Sequence, residues 1–536
     1  MKKIILFKNH KGHLAIYITL SIIQNISVVL STYSLGMVLK NAVPPISDFT
    51  RAGYLSLFTI TLFLLSAFCS YINTIVKTDL SKKIKIDLIN IVILKIFSYN
   101  LQEFNENKKG EYLSWINNDV ENIESGVYSL FLIFLDSFFS IIFTFIALAF
   151  ISWIVLLITI FFSLLFLVVP YFMKKRITKN IINSSLSSAD FISRTENLMN
   201  GYEEFYASNK SNILRSLITT TGLNYENVKQ KQTLTVNKLL LFMHSFIIFV
   251  KFAVIVAVII LSSSYEWIIK GGPLMVLSIE PLSYSFVIQF SNIITNLTSF
   301  FSHTELAKKF NVNNKEAKIS KINFQNLKIN NLNYSIENKE IIHNLSFDIK
   351  KNEKILIIGE SGAGKSTIFN ILMKRVKDFS GQIYFNDNKK INYNEINDRS
   401  LFQFIDFLNQ HPLFFNDTLK NNLTLFDENI EENDILNALK RTNMIKWFEQ
   451  NGSDLNTMIN SENKNISSGE MQRLSLARVL LRNKELLFLD EVTANLDIDN
   501  RRLIEEIILN SDKTILFISH SIEEENKSKF DKVIQI

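Results

Sequence analysis

Apolar residues are spread very unevenly along this chain. Up to about residue 300 they gather in six long runs, roughly 14–39, 53–76, 127–150, 153–172, 239–261 and 273–300. A helix needs about 20 such residues to cross the hydrocarbon core of a bilayer. Residues 1–305 are therefore expected to form an all-α region of six membrane helices. The first run follows a basic flank, MKKIILFKNHKGH, and no small-residue cleavage site comes after it, so it reads as a membrane helix and not as a removable signal. Residues 77–126 and 174–238 are long, polar and rich in Lys, whereas the connections near Ser152 and at 263–272 are short. Basic loops stay on the cytoplasmic side, so the long loops and both termini are expected there, in a multi-pass protein of the cell membrane.

Helical spacing continues through the polar loops, as in KTDLSKKIKIDLINIVILKIF. The membrane helices should run on into the cytoplasm and turn at two short contact segments. The expected turns are residues 110–119 and the stretch NGYEEFYASNK, which carries Glu203 and Glu204. From about residue 302 the apolar runs stop. Residues 306–320 read as a polar linker, and in 321–536 short β-branched runs alternate with helical stretches, the pattern of an α/β domain. The expected fold is an all-α six-helix membrane domain followed by an α/β domain.

Composition agrees with a partly lipid-embedded chain: 47% of 536 residues are hydrophobic, with 44 Phe against 15 Gly and 6 Pro. The formal charge of +6 comes from 57 basic and 51 acidic side chains without a dense basic run, which argues against nucleic acid and fits loops that face an anionic membrane lipid surface. Cys69 is the only cysteine, so neither an intrachain disulfide nor a cysteine zinc cluster can form.

The α/β half carries the chemistry. KILIIG, GESGAGKST and TIFNILMKRV read as strand, glycine turn and helix, with Gly359, Glu360, Ser361, Gly362, Ala363, Gly364, Lys365, Ser366 and Thr367 forming the turn. Such a turn offers backbone N–H groups and a helix N-terminus to a phosphate chain. Its Lys365 can reach the β- and γ-phosphates, and the Ser366 hydroxyl can meet Mg²⁺. Tyr334 ends a candidate first strand, where an aromatic ring can stack on adenine. Gln410 follows the strand LFQFIDFL and can touch Mg²⁺ or an attacking water. NISSGEMQRLSLARVLL is a Ser/Gly turn that enters a helix, a second place for phosphate. ELLFLDE is a buried strand that ends in Asp490, suited to Mg²⁺, and Glu491, suited to polarising a water. ANLD forms a further turn, and ILFISH ends in His520, positioned to sense the γ-phosphate.

With these residues in order, the second half resembles an ATP-binding-cassette domain, and the whole chain resembles a half-size ABC exporter. The resemblance implies that Tyr334 stacks on adenine, 359–367 is the Walker A loop, Gln410 is the Q-loop glutamine, and Ser467, Gly469 and Glu470 belong to the signature. It implies further that Asp490 is the Walker B aspartate, Glu491 the catalytic glutamate, Asp497 the D-loop acid and His520 the switch histidine. The first turn, at 110–119, and the region around Glu203–Glu204 resemble the family's two coupling segments. ATP and Mg²⁺ are the implied cofactors, and one cassette per chain implies a dimer with a second copy or a homologous half-transporter. The signature departs from the usual Leu-Ser-Gly-Gly-Gln: it reads Ile-Ser-Ser-Gly-Glu, from which weakened hydrolysis is expected. The stretch TMINSENKN lacks the usual glycines of the segment that faces the coupling loops.

Three ionisable residues fall inside membrane runs: Asp136, Lys251 and Glu280. Charge at that depth marks a pathway, a partner or a wet cavity. These side chains are read as facing an inner cavity, where they pair or touch cargo, with a purely structural ion pair as the alternative. The cavity runs, apolar with scattered Ser, Thr and Asn, suit an amphipathic peptide first, and a lipid or drug-like small molecule second. Too few residues precede the first run for the peptidase domain that some peptide exporters carry. A membrane-anchored sensory ATPase is the reading from another class, and the fused layout argues against an importer.

Overall fold

The structure is a computed structural model, and it describes residues 9–43, 48–106, 109–165, 168–264, 273–308, 310, 323–336, 339–360, 362–376, 378–386, 391–410, 412–459, 466–494, 496–519, 522 and 524–536. The chain divides into two compact units, Met1–Tyr99 with Glu106–Asn314, and Lys315–Ile536 with Asn100–Asn105.

The first unit is helical: α1 (Lys11–Ala42), α2 (Phe49–Phe97), α4 (Lys109–Ser114), α5 (Val120–Ile123), α6 (Leu130–Ile151), α7 (Trp153–Leu165), α8 (Val168–Asn200), α9 (Tyr202–Ala207), α10 (Ser211–Ser264) and α11 (Val276–Lys308); the short α3 (Leu101–Glu106), between α2 and α4 in the chain, falls almost wholly in the segment that groups with the second unit. Two π-helical turns, Trp115–Asp119 and Glu124–Ser129, join α4, α5 and α6 into one continuous rod. Four of the described helical stretches are long and apolar enough to cross a membrane: Lys11–Ala42, Phe49–Phe97, Gly110–Ile151 and Ser211–Ile260. The expected run 153–172 falls on α7, thirteen residues long, and on the start of α8, with 166–167 outside the described residues. The expected run 273–300 falls on a 3₁₀ turn and α11, a helix that holds Glu280 and Pro281.

These helices are built inside out relative to a water-soluble bundle. On α1 the buried residues include Ser21, Asn25, Ser27, Ser31, Ser34 and Asn41, while Ile16, Ile23, Ile26, Leu30 and Leu35 are exposed. On α2, Leu57, Phe58, Phe63, Leu64 and Phe68 are exposed while Ser66 and Asn73 are buried. Apolar side chains gain nothing by leaving lipid, so interior polar groups and close packing hold such helices together. The polar groups find partners across helices. Ser34 and Thr59 hydroxyls meet at 2.7 Å, Ser137 donates to Gln289 at 2.8 Å, and Asn180 donates to Thr235 at 2.9 Å.

One expected turn is misplaced. Residues 110–119 are helix with one buried side, where Tyr112 and Trp115 pack edge to face at 5.2 Å, Trp115 meets Phe310 at 5.5 Å, and Asp119 is buried. The reversal between α2 and α4 instead includes the short helix α3. The reversal between α8 and α10 includes α9, whose first turn carries Glu203 and Glu204.

In the second unit, β1 (Asn326–Ile336), β2 (Lys339–Lys350), β4 (Ser380–Phe385) and β5 (Ile391–Asn392) form an antiparallel sheet in the order β2-β1-β4-β5. A parallel sheet has the order β11-β3-β10-β9-β6, built from β3 (Lys354–Ile358), β6 (Ile405–Leu408), β9 (Leu486–Asp490), β10 (Thr514–Ile518) and β11 (Lys532–Gln535). Its strands read as unbroken apolar runs because helices cover both faces. The short pair β7 (Asp417–Thr418) and β8 (Met458–Ile459) adjoins a helical lobe. The helices are α12 (Lys365–Leu372), α13 (Asp398–Leu401), α14 (Leu419–Thr424), α15 (Glu432–Arg441), α16 (Ile445–Gln450), α17 (Ser468–Leu481), α18 (Ile498–Leu509) and α19 (Glu524–Lys527). Phe369 of α12 stacks on Phe488 of β9 at 5.1 Å and fixes the helix over the sheet.

Candidate functional site

In an open parallel sheet, ligands bind beyond the carboxyl ends of the strands. Here four chemically loaded segments leave those ends. The glycine turn follows β3, Gln410 follows β6, Asp490 and Glu491 close β9, and the segment after β10 leads to position 520. Register places Asp490 beside Ile518 of β10, and Ile518 beside Ile357 of β3.

The turn has the backbone that only glycine takes without strain. Gly364 caps α12 with φ of +87°, and a Cβ there would lie 2.9 Å from the carbonyl oxygen of Ile341. Within the turn, Ala363 donates its N–H to the Glu360 carbonyl at 3.2 Å. Lys365 is buried and folds back over the loop, where its Nζ donates to the carbonyls of Gly359 (2.9 Å) and Glu360 (2.7 Å). Burial pulls its ammonium below the ordinary value, while Glu491 and Asp490 pull the other way. An anionic ligand would stabilise this cation by the same Coulomb attraction. Thr367 is half-buried on the same helix.

The Ser366 hydroxyl donates to Asp490 Oδ1 at 3.2 Å. Burial pushes the Asp490 carboxyl up and Glu491 adds to this, against the Ser366 bond. Among the described residues no three His, Cys, Asp or Glu side chains gather to hold a metal. One carboxylate with one hydroxyl suits Mg²⁺, which takes the rest of its oxygen shell from water and phosphate. Glu491 has φ of +49°, a conformation that costs a side-chain-bearing residue about 1–2 kcal/mol, and it is held there by its N–H bond to the Ile518 carbonyl at 3.0 Å. Gln410 Nε2 donates to Glu491 Oε2 at 3.0 Å, so the two side chains that follow neighbouring strands meet.

The signature turn is a capping box. Ser467 Oγ accepts from the Glu470 N–H at 3.3 Å, and Glu470 accepts from the Ser467 N–H at 2.8 Å. A Cβ on Gly469 would lie 3.2 Å from the amide of Asn500. Asn500 in turn donates its N–H and side-chain amide to Asp497, at 2.8 and 2.6 Å, and accepts from Arg473. The backbone N–H of Asn500 is the main cause that holds the Asp497 carboxyl below its ordinary value. Motif reading missed this bridge, and it missed two more residues of α17. Gln472 donates to the Gln410 carbonyl, and Arg478 donates to the carbonyls of Asn422 (2.7 Å) and Leu413 (2.9 Å) with Phe414 against its plane. Their sequence signal was only that a Gln and an Arg stand in the largely apolar stretch after the Ser/Gly turn.

Tyr334 is half-buried near the end of β1, opposite Ile342, whose side chain borders Gly364. Ser361 and His520 lie outside the described residues. In the first unit the ionisable residues do not pair as a cavity couple of Asp136 and Lys251. Lys251 instead meets Glu280 at 2.9 Å, with the Tyr284 ring 5.4 Å away, and Asp136 accepts from Asn25 at 3.0 Å.

A sequence model described as "ABC transporter transmembrane region" matches residues 14–268, and one described as "ABC transporter" matches residues 342–494. The chain is 35% identical over 186 residues to "Putative ABC transporter ATP-binding protein MG015 homolog" of Mycoplasma pneumoniae, a match that covers 34% of this chain and 29% of that protein. It is 27% identical over 479 residues to "Multidrug resistance-like ATP-binding protein MdlB" of Buchnera aphidicola, covering 86% and 80%. It is 30% identical over 246 residues to "Lactococcin-A transport/processing ATP-binding protein LcnC" of Lactococcus lactis, covering 44% and 34%. Thus the match spans under a third of the first relative's length and most of MdlB's. A solved structure described as "Structure of a bacterial Atm1-family ABC exporter with ATP bound" has the same fold, with a TM-score of 0.84 at 15% identity over 98% of this chain and 94% of that one.

Proposed function

Since this chain belongs to the ABC transporters and joins the transmembrane and ATP-binding parts of a half-size exporter in one polypeptide, we propose that it exports an amphipathic cargo from the cytoplasm, driven by ATP. The observation that carries this reading is the convergence of Lys365, Ser366, Gln410, Asp490 and Glu491 at the carboxyl ends of neighbouring parallel strands.

In this reading the glycine turn and Lys365 bind the phosphates, with Tyr334 against the adenine. Lys365 leaves its own loop carbonyls when phosphate oxygens arrive. Ser366 and Asp490 hold Mg²⁺, which when bound supplies positive charge beside the phosphate oxygens. Glu491 orients and deprotonates the attacking water, and Gln410 fixes the carboxylate by its amide bond. General bases of this kind contribute about 10²–10⁴-fold in rate. His520 contacts the γ-phosphate. Ser467 and Gly469 of a second chain, either another copy or a homologous half-transporter, cover the nucleotide, with Glu470 closing the cap and Asp497 at the seam. ATP then favours the closed pair through contacts absent from the open state, which is what a population shift needs. Both termini and the long helical loops lie in the cytoplasm, as the Lys-rich loops indicate.

A peptide is the favoured cargo: one relative is named for lactococcin-A transport and processing, another for lactococcin-G. A lipid or drug-like cargo stands second, beside a relative named multidrug resistance-like. The test is ATP-driven uptake into inverted membrane vesicles. Uptake of an amphipathic peptide supports the reading. ATPase activity that no cargo alters, with no uptake, would assign the chain to sensing.

A further inference from the structure

Within the first unit, α1, α2 and α6 bring together a polar cluster in which acceptors outnumber donors. Asp136 of α6 accepts from Asn25 Nδ2 at 3.0 Å, and the same amide also donates to the Ser21 carbonyl at 2.8 Å. Asn73 of α2 donates to Ser21 Oγ at 2.8 Å, and its own Oδ1 is buried without a hydrogen-bond partner. Ser21 is fully buried, and Asn73 is 6% exposed. The cluster is inside the apolar layer, toward one side: Asp136 lies fifteen residues from the Ile151 end of its helix, about 22 Å at 1.5 Å per residue, which in a hydrocarbon layer about 30 Å thick leaves it about 8 Å from the opposite face.

Charge is unbalanced at this depth. The Lys251 ammonium is matched by Glu280 at 2.9 Å. Among the described residues no Lys, Arg or His lies within 4 Å of Asp136; Lys77, one helical turn beyond Asn73, acts on it only at longer range. A carboxylate whose partners, Asn25 and Ser21, are both neutral, beside a buried carbonyl oxygen with none, is costly until something positive arrives.

We propose that Asp136, with the Asn73 carbonyl and Ser21, receives a positively charged group of the cargo, so that the exporter selects cationic amphipaths. This rests on the export reading above. It deepens that reading by assigning the sign of the cargo's charge to one residue.

The experiment uses the full chain and two probes of similar size and opposite charge, tetraphenylphosphonium and tetraphenylborate. Equilibrium binding to purified protein and ATP-driven uptake into inverted vesicles are both measured. The wild-type chain is expected to prefer the cation by about tenfold or more, the scale of one close charge pair in a partly screened site. Asp136→Asn is expected to lose that preference while it still binds the anion, which reports that the variant is folded. Asp136→Glu restores the preference. Equal binding of both probes by the wild type, or an unchanged preference in Asp136→Asn, overturns the proposal. Export of both probes alike overturns it and leaves the export reading standing. Cation binding that depends on Asp136 without ATP-driven uptake supports the site and removes the export reading. Binding of sodium or potassium ions in place of the organic cation assigns the cluster to an inorganic ion and overturns the cargo assignment.

Discussion

Replacing Glu491 by Gln tests the hydrolytic reading most directly. The exchange removes the basic oxygen and keeps nearly everything else. Gln410 Nε2 now donates to Glu491 Oε2 at 3.0 Å, and an amide oxygen accepts that bond as well. The backbone at φ of +49° costs Gln and Glu alike, and the N–H bond to Ile518 is unaffected. Stability should therefore change by less than about 0.5 kcal/mol, as for substitutions that break no packing or capping. Turnover should fall by about 10²–10⁴-fold, which at 1.36 kcal/mol per factor of ten is about 2.7–5.4 kcal/mol of lost transition-state stabilisation. The assay pairs phosphate release at saturating Mg-ATP with equilibrium binding of a fluorescent ATP analogue. Slow turnover with unchanged affinity is expected. A fall of less than about threefold would remove Glu491 as the base.

Other outcomes follow from the same geometry. Lys365→Ala should abolish ATP binding in the fluorescence assay, since the phosphates lose their only buried cation on that loop. Gly364→Ala should lower the melting temperature and weaken ATP binding, because φ of +87° and the Ile341 carbonyl 2.9 Å from the new Cβ both oppose it. Arg478→Met should destabilise the cassette by about 2–4 kcal/mol, seen in thermal melts, by stranding the carbonyls of Asn422 and Leu413, and Arg478→Lys should not rescue it. For Asp497 the folded-state carboxyl sits below its ordinary 3.8, so the unfolded chain binds more protons in that range. Its contribution is present above pH 3.8 and is lost as pH falls through the folded value, and acid melts of Asp497→Asn should lack that component.

Much of this was legible in the order of residues. The strand–glycine–helix motif, the carboxylate pair at the end of a buried strand and the amide after another require only local patterns, and the parallel sheet then gathers them. The apolar runs announced helices for the same reason. What escaped were long-range choices. Residues 110–119 carry a glycine and polar side chains that read as a turn, yet Tyr112 and Trp115 found aromatic partners at Tyr99 and Phe310 and drew the stretch into a helical rod. Lys251 had two acids at comparable depth, and only the packing of α10 against α11 decides for Glu280. Asn500 and Arg473 carry no motif at all, since their roles come from where two helices happen to begin.

That last junction has a practical corollary. Because one carboxamide fills the space beside Gly469 and also ties down Asp497, the turns that enter α17 and α18 share a single spacer. Enlarging the glycine displaces the amide, and the amide drags the acid with it. Energies measured for changes at these two positions will not sum, and a survey that varies them one at a time will count the same disturbance twice.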